Sequence, residues 1–193
     1  MQHITRVTPL LAGVLLLACG DAGRRNADTD TDPPGIPHDG AVDSSMGITA
    51  PVRDAAGTEI GIVTLTEADG GITLAGRLAG LPPGEHGIHF HMAGRCDSPT
   101  FESAGDHWNP TTAAHGSKNS KGPHLGDLSN ITVAPDSSVI VLAKTRGGTL
   151  KGENGLLDAD GAAVVVHVKP DDYRTQPSGN SGDRIACGVV SGR

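Results

Sequence analysis

From residue 59 to residue 78 the chain reads EIGIVTLTEADGGITLAGRL, and an all-β domain can be read outward from it. In the second half Ile72, Leu74, Gly76 and Leu78 alternate with Thr73, Ala75 and Arg77, the period of two of a half-buried strand. The first half, Glu59–Glu67, is rich in β-branched residues, and Ala68-Asp69-Gly70-Gly71 is a turn, so the two halves predict a hairpin. Further candidate strands are Gly47–Arg53, His86–His91, Asn130–Val133, Ser138–Ala143, Ala162–Val168 and Ile185–Val190. About eight short strands punctuated by Gly, Pro and Asp fit an eight-stranded Greek-key β-barrel or sandwich of immunoglobulin-like architecture. Two long stretches resist strand assignment, Met92–Leu128 and Lys169–Asp183. Long irregular segments inside a compact domain are usually functional loops.

Composition agrees. Of 193 residues 36% are hydrophobic, 19% charged and only 2% aromatic, while Gly occurs 28 times. Phe90, Phe101, Trp108 and Tyr173 are the complete aromatic set. This profile argues against a helical bundle and against a module that stacks nucleic-acid bases on aromatic rings. The formal charge of −7 removes the basic footprint that nucleic-acid binding needs.

The first residues read as an address. Leu10–Ala18 is an apolar run too short to cross a hydrocarbon core of ~30 Å, but it fits the apolar region of a signal peptide, so residues 1–18 are expected to be a leader. Leu16-Leu17-Ala18-Cys19 resembles a bacterial lipobox, which implies lipidation of Cys19 and anchoring of the exported chain to a membrane, on the periplasmic side or the cell surface. Gly20 after that Cys resembles the outer-membrane default of diderm bacteria. An ordinary cleaved signal peptide or a buried strand is the alternative. Residues 19–46 carry Asp, Pro, Gly and Ser with few bulky apolar groups, so burial cannot offset their ordering entropy and a flexible tether is expected. The folded domain then runs over residues 47–193.

Histidine spacing carries the chemistry. Seven of nine His lie between His86 and His167. His89 and His91 sit two apart on a strand, which puts both imidazoles on one face. Paired neutral imidazoles suit a transition metal such as copper or zinc. His107, His115, His124 and Asp127 follow in one loop, and three His with one carboxylate match a closed tetrahedral zinc site. His167 ends a later strand. A lone His is most simply a hydrogen-bonded or surface residue, whereas this assembled set points to metal. His86 stands at odd separations from His89 and His91, so on a regular strand its ring faces away and its role is structural hydrogen bonding.

With these residues in view the chain resembles the copper/zinc superoxide dismutases. Gly84–His91 is similar to that family's copper-ligand strand, Ala104–Pro110 to its bridging-His segment, and His115 through Gly122–Leu128 to its zinc loop. Val164–His167 with Asp171-Asp172 is similar to the fourth copper ligand and the loop behind it, and Gly179–Val189 to the C-terminal signature. The resemblance implies copper held by His89, His91, His107 and His167. It implies zinc held by His107, His115, His124 and Asp127, with His107 bridging as an imidazolate. It also implies Asp171 linking His89 to His115, Arg184 docking superoxide beside copper, and a Cys96–Cys187 disulfide. The expected reaction is disproportionation of superoxide to O₂ and H₂O₂, with His107 moving the proton. With Cys19 used by lipid, two cysteines remain for that disulfide in an exported, oxidising setting. A copper or zinc carrier on the same frame is the rival reading. The sequence leaves homodimer and monomer both open.

Overall fold

The computed structural model describes residues 47–191. The leader, Cys19 and the tether lie outside the described residues.

The hairpin is present as β2 (Glu59–Ala68) and β3 (Gly71–Ala79), in register from Gly61↔Leu78 to Ala68↔Gly71. Asp69 and Gly70 at the turn both have positive φ, 51° and 72°, the type I′ geometry whose twist matches the strands it joins. Alternation buries Val63, Leu65, Ile72, Leu74 and Leu78, while Ile62 and Arg77 face outward. On the other side of β2 lies β1 (Ile48–Asp54), which pairs in turn with the C-terminal strand β9 (Arg184–Val190). Next to β9 comes β8 (Ala162–His167), then β5 (Ile88–His91), and at the far edge β3 pairs with β7 (Ser138–Lys144). All these pairings are antiparallel, giving the order β5-β8-β9-β1-β2-β3-β7. A separate two-stranded sheet joins β4 (Gly84–His86) to β6 (Ile131–Val133). The neighbours β5–β8, β9–β1 and β3–β7 are the long-range connections of a Greek key, and the sheet curls around one apolar core. The fold class is the expected one.

Two details differ from the sequence reading. The segment 86–91 is not one strand: it divides at Gly87, so the described residues form nine strands rather than about eight. A β carbon at Gly87 would lie 2.8 Å from Ser181 Oγ, so the chain passes too close to a remote loop for a side chain. The ring nitrogens of His86, just before the break, each lie 2.8 Å from a backbone carbonyl oxygen, Nδ1 from that of His167 and Nε2 from that of Pro82. The second difference is a third long loop, residues 145–161, between β7 and β8.

Strand β5 positions the site. All four of its residues are buried. Ile88 and Phe90 enter the main core, and alternation sends His89 and His91 to the opposite face. A smaller apolar cluster of Phe101, Ala104, Ala163, Val165 and Cys187 lies under the loop that follows. The Cys96–Cys187 disulfide, with Cα atoms 5.7 Å apart, ties that loop to β9. Linking residues 91 positions apart is worth about 4–5 kcal/mol on the chain-entropy model.

Candidate metal centre

The loop after β5 folds back along that strand's free edge. Phe90 N–H donates to Gly126 O (2.9 Å), Trp108 N–H to Phe90 O (2.8 Å) and Met92 N–H to Asp106 O (2.9 Å). Gly126 permits the approach, since a β carbon there would lie 2.5 Å from Phe90 O. These bonds set His107 opposite His91 and Asp127 opposite His89. His167 arrives from the end of β8, where a register shift between Val166 and His167 re-aims the side chain.

Two groups of ligand atoms result, each within 4.8 Å: His89, His91, His107 and His167 in one, and His107, His115, His124 and Asp127 in the other. In the second group Asp127 Oδ1 lies 2.9 Å from His107 Nδ1 and 3.1 Å from Nδ1 of both His115 and His124. A tetrahedral zinc with bonds of ~2.0–2.1 Å has ligand–ligand edges of about 3.3 Å, so this donor set fits such an ion. In the first group each imidazole has one nitrogen occupied and one buried without a partner. His89 Nε2 donates to Asp171 Oδ2 (3.0 Å), His91 Nδ1 to Gly105 O (2.9 Å) and His167 Nδ1 to Gly182 O (3.0 Å). Left over are His89 Nδ1, His91 Nε2, His107 Nε2 and His167 Nε2. Buried polar atoms are normally satisfied, and four that converge as nitrogen donors are the donor set of copper or zinc. His107 belongs to both groups, Nδ1 to one and Nε2 to the other.

Asp171 joins the two. Its Oδ2 accepts from His89 and its Oδ1 from His115 Nε2, both at 3.0 Å, an arrangement that fixes which nitrogen of each ring is free. Three supporting residues escaped the sequence reading. Asn130 exchanges two hydrogen bonds with the Asp171 backbone, at 2.9 and 3.0 Å. Gln176 exchanges two with the His115 backbone, at 2.8 and 3.1 Å. Gly179 packs against the Asp171 carboxylate. Asn130 and Gln176 meet their partners across 41 and 61 residues, a distance at which no spacing pattern signals contact, whereas Gly179 stands in the same loop as Asp171.

Burial, reinforced by the neighbouring His107, lowers the pKa of His89 to about 3 and that of His167 to about 4. His91 is likewise held well below its ordinary value and His107 is lowered, so these rings are neutral at pH 7. Burial also disfavours a charge on His115, but the bonds to Asp127 and Asp171 outweigh it and raise it to about 9. Both carboxylates are buried, yet the imidazoles hold them well below the usual carboxylate range.

A cavity of about 580 Å³ opens onto the four-His group, lined by His91, His107, His167 and Arg184. Arg184 donates from Nη1 to Phe101 O (2.6 Å) and from Nη2 to Gly105 O (2.7 Å), the oxygen that also holds His91. The wall includes Asn154, Gly155 and Asp158 of the loop 145–161, which reads in sequence only as turn punctuation.

Comparison with known proteins points the same way. The copper/zinc superoxide dismutase (SODC) family profile matches residues 59–190. Superoxide dismutase [Cu-Zn] of Caulobacter vibrioides is 45% identical over 146 residues, covering 74% of this chain and 84% of that protein. The superoxide dismutase-like protein YojM of Bacillus subtilis is 36% identical over 188 residues, covering 95% and 96%. The structure of Cu/Zn superoxide dismutase from Brucella abortus is similar with a TM-score of 0.61 at 26% identity, covering 75% of this chain and 99% of that one. A profile match over most of the domain, joined to buried histidine groups of this geometry, means that the chain belongs to the copper/zinc superoxide dismutase family.

Proposed function

We propose that the protein disproportionates superoxide to O₂ and H₂O₂. The observation that carries the proposal is the convergence of four unpartnered imidazole nitrogens on one buried point beside an arginine-lined cavity. In this reading His89, His91, His107 and His167 hold copper, and His107, His115, His124 and Asp127 hold zinc. Bound copper supplies the two one-electron steps; zinc has no redox chemistry and serves geometry. Arg184, fixed by two carbonyl oxygens at the cavity wall, orients the anion. Asp171 keeps His89 and His115 in the tautomers that leave their inward nitrogens free. His107, anchored through Nδ1 on the Asp127 side, would supply from Nε2 one of the two protons that the peroxide product requires, at the stage when that nitrogen does not donate to copper.

The leader supports an exported, lipid-anchored protein with Cys19 as the acylated residue, and the Cys96–Cys187 disulfide suits an oxidising compartment. Fatty-acid labelling that survives Cys19→Ser would remove the anchor from this reading.

A carrier of copper or zinc on the same frame is the second reading, favoured by the similarity to a relative named only superoxide dismutase-like. Metal stoichiometry measured beside superoxide consumption separates the two. One copper and one zinc per chain with fast consumption supports the dismutase; full metal loading without turnover supports the carrier.

A further inference from the structure

Residues 145–161 are pinned over the cavity by contacts along their length. Gly148 packs on Trp108, where a β carbon would come within 2.3 Å of the indole. Leu150 N–H donates to Glu67 Oε2 (2.6 Å), and Leu156 is buried in the main core. Asp158, itself exposed, is thereby presented at the cavity rim, where its Oδ1 accepts the N–H of Asp160 (3.3 Å).

Charge at this wall is lopsided. Four buried histidines, His91, His107, His124 and His167, line it. Beyond them the charged groups are one guanidinium, Arg184, and two carboxylates, Asp106 and Asp158. Two carboxylates against one guanidinium leave the wall with an excess of one negative charge. Behind it lie the unpartnered, buried Nε2 atoms of His91 and His167. An acidic rim in front of unpartnered nitrogen donors draws cations inward and opposes anions.

We propose that Asp158 makes this rim a capture point for the incoming copper ion, at the cost of slower anion passage once metal is bound. The inference rests on reading the four-His group as the copper site. A sphere of 580 Å³ is roughly 10 Å across, about one Debye length at 0.1 M salt. At that distance in water, Coulomb's law gives one charge a factor of about two for a univalent ion and about four for a divalent one at low salt.

The test uses Asp158→Asn and Asp158→Lys in the full chain, an exposed position where substitution leaves the core intact. Trp108, the only tryptophan, lies beside His107 and reports copper(II) binding to copper-free protein through fluorescence quenching. At low salt, uptake should slow about four-fold in the Asn variant and about sixteen-fold in the Lys variant. Azide, as an inert anion titrated into the copper-loaded protein, should bind about two-fold and about four-fold tighter. Both effects should fade in 0.5 M salt. Unchanged uptake, a shift of both ions in the same direction, or copper that leaves Trp108 unquenched in the unsubstituted protein overturns the proposal. Loaded protein that ignores superoxide defeats the dismutase reading alone, because the uptake and azide results still decide the role of Asp158.

Discussion

Gly179→Ala is expected to dislodge the carboxylate that joins the two histidine groups. A β carbon there would lie 1.7 Å from Asp171 Oδ1 and 2.8 Å from His115 Nε2, on a residue with φ +66°. Real β carbons essentially never approach another heavy atom within 3.0 Å, so the carboxylate must retreat by at least 1.3 Å, the difference between 3.0 and 1.7 Å. Its 3.0 Å bonds to His89 and His115 cannot both survive that movement. Holding alanine in the left-handed region costs about 1–2 kcal/mol, and losing one hydrogen bond to a charged group about 1.5–3 kcal/mol. The metal-free protein should therefore lose about 2.5–5 kcal/mol in denaturant unfolding, and chelator competition should show copper and zinc held about 10–100-fold more weakly. Asp171→Ala removes the obstructing group in advance. Added to that background, Gly179→Ala should cost mainly its backbone strain of about 1–2 kcal/mol, the remaining 2.8 Å approach to His115 Nε2 needing a shift of only 0.2 Å to reach 3.0 Å. If the two substitutions instead add to within about 0.5 kcal/mol, Gly179 does not act through Asp171 and the argument fails.

Three further outcomes follow from the same geometry. His107→Ala should reduce both copper and zinc content, since one ring serves both groups; full zinc content with normal activity in the variant contradicts the bridge. For the metal-free protein, His89 and His167 are protonated in the unfolded chain below about pH 6.5 but resist protonation in the fold until about 3 and about 4, so stability falls as the pH drops below 6.5. The His115 contribution has the opposite sign, complete below 6.5 and lost as pH rises through about 9. Melting temperature should therefore peak near pH 6.5, and a steady rise from 6.5 to 9 would contradict the assignment. Arg184→Ala should leave both metals bound, lower the rate with superoxide and flatten its salt dependence, with Arg184→Glu slower still; wild-type rates in both at low salt would make Arg184 a loop-holding residue only.

What could be read from the sequence and what could not divide along one physical line. The hairpin 59–78 was legible because its period and its Asp-Gly turn are local properties, expressed wherever the segment is placed. The pair His89 and His91 was legible for the same reason, and the loop ligands because three His and an Asp in one segment have few uses other than metal. The break at Gly87 was not, because it is imposed by Ser181, ninety-four positions away by the numbering. Asn130 and Gln176 were invisible on the same grounds, and so was Asp158, whose loop looks like a plain connection until Gly148 meets Trp108.

The division has a consequence for how the centre works. The groups that donate to metal come mostly from β5 and one loop, yet each ring is aimed by something remote: His91 by Gly105, His167 by Gly182, His89 and His115 by Asp171. Three of those four aiming contacts, through Gly182 and Asp171, come from the loop 169–183, and Arg184 begins β9 directly after it. The disulfide ties β9 to the segment that carries Gly105, the oxygen shared by His91 and Arg184. Reduction of Cys96–Cys187 therefore acts first on how firmly Gly105 is held, and only through it on His91 and Arg184. The side with Asp127, His115 and His124 depends on Asp171 and Gln176 instead, so the two halves of the centre should differ in their sensitivity to the disulfide even though His107 belongs to both.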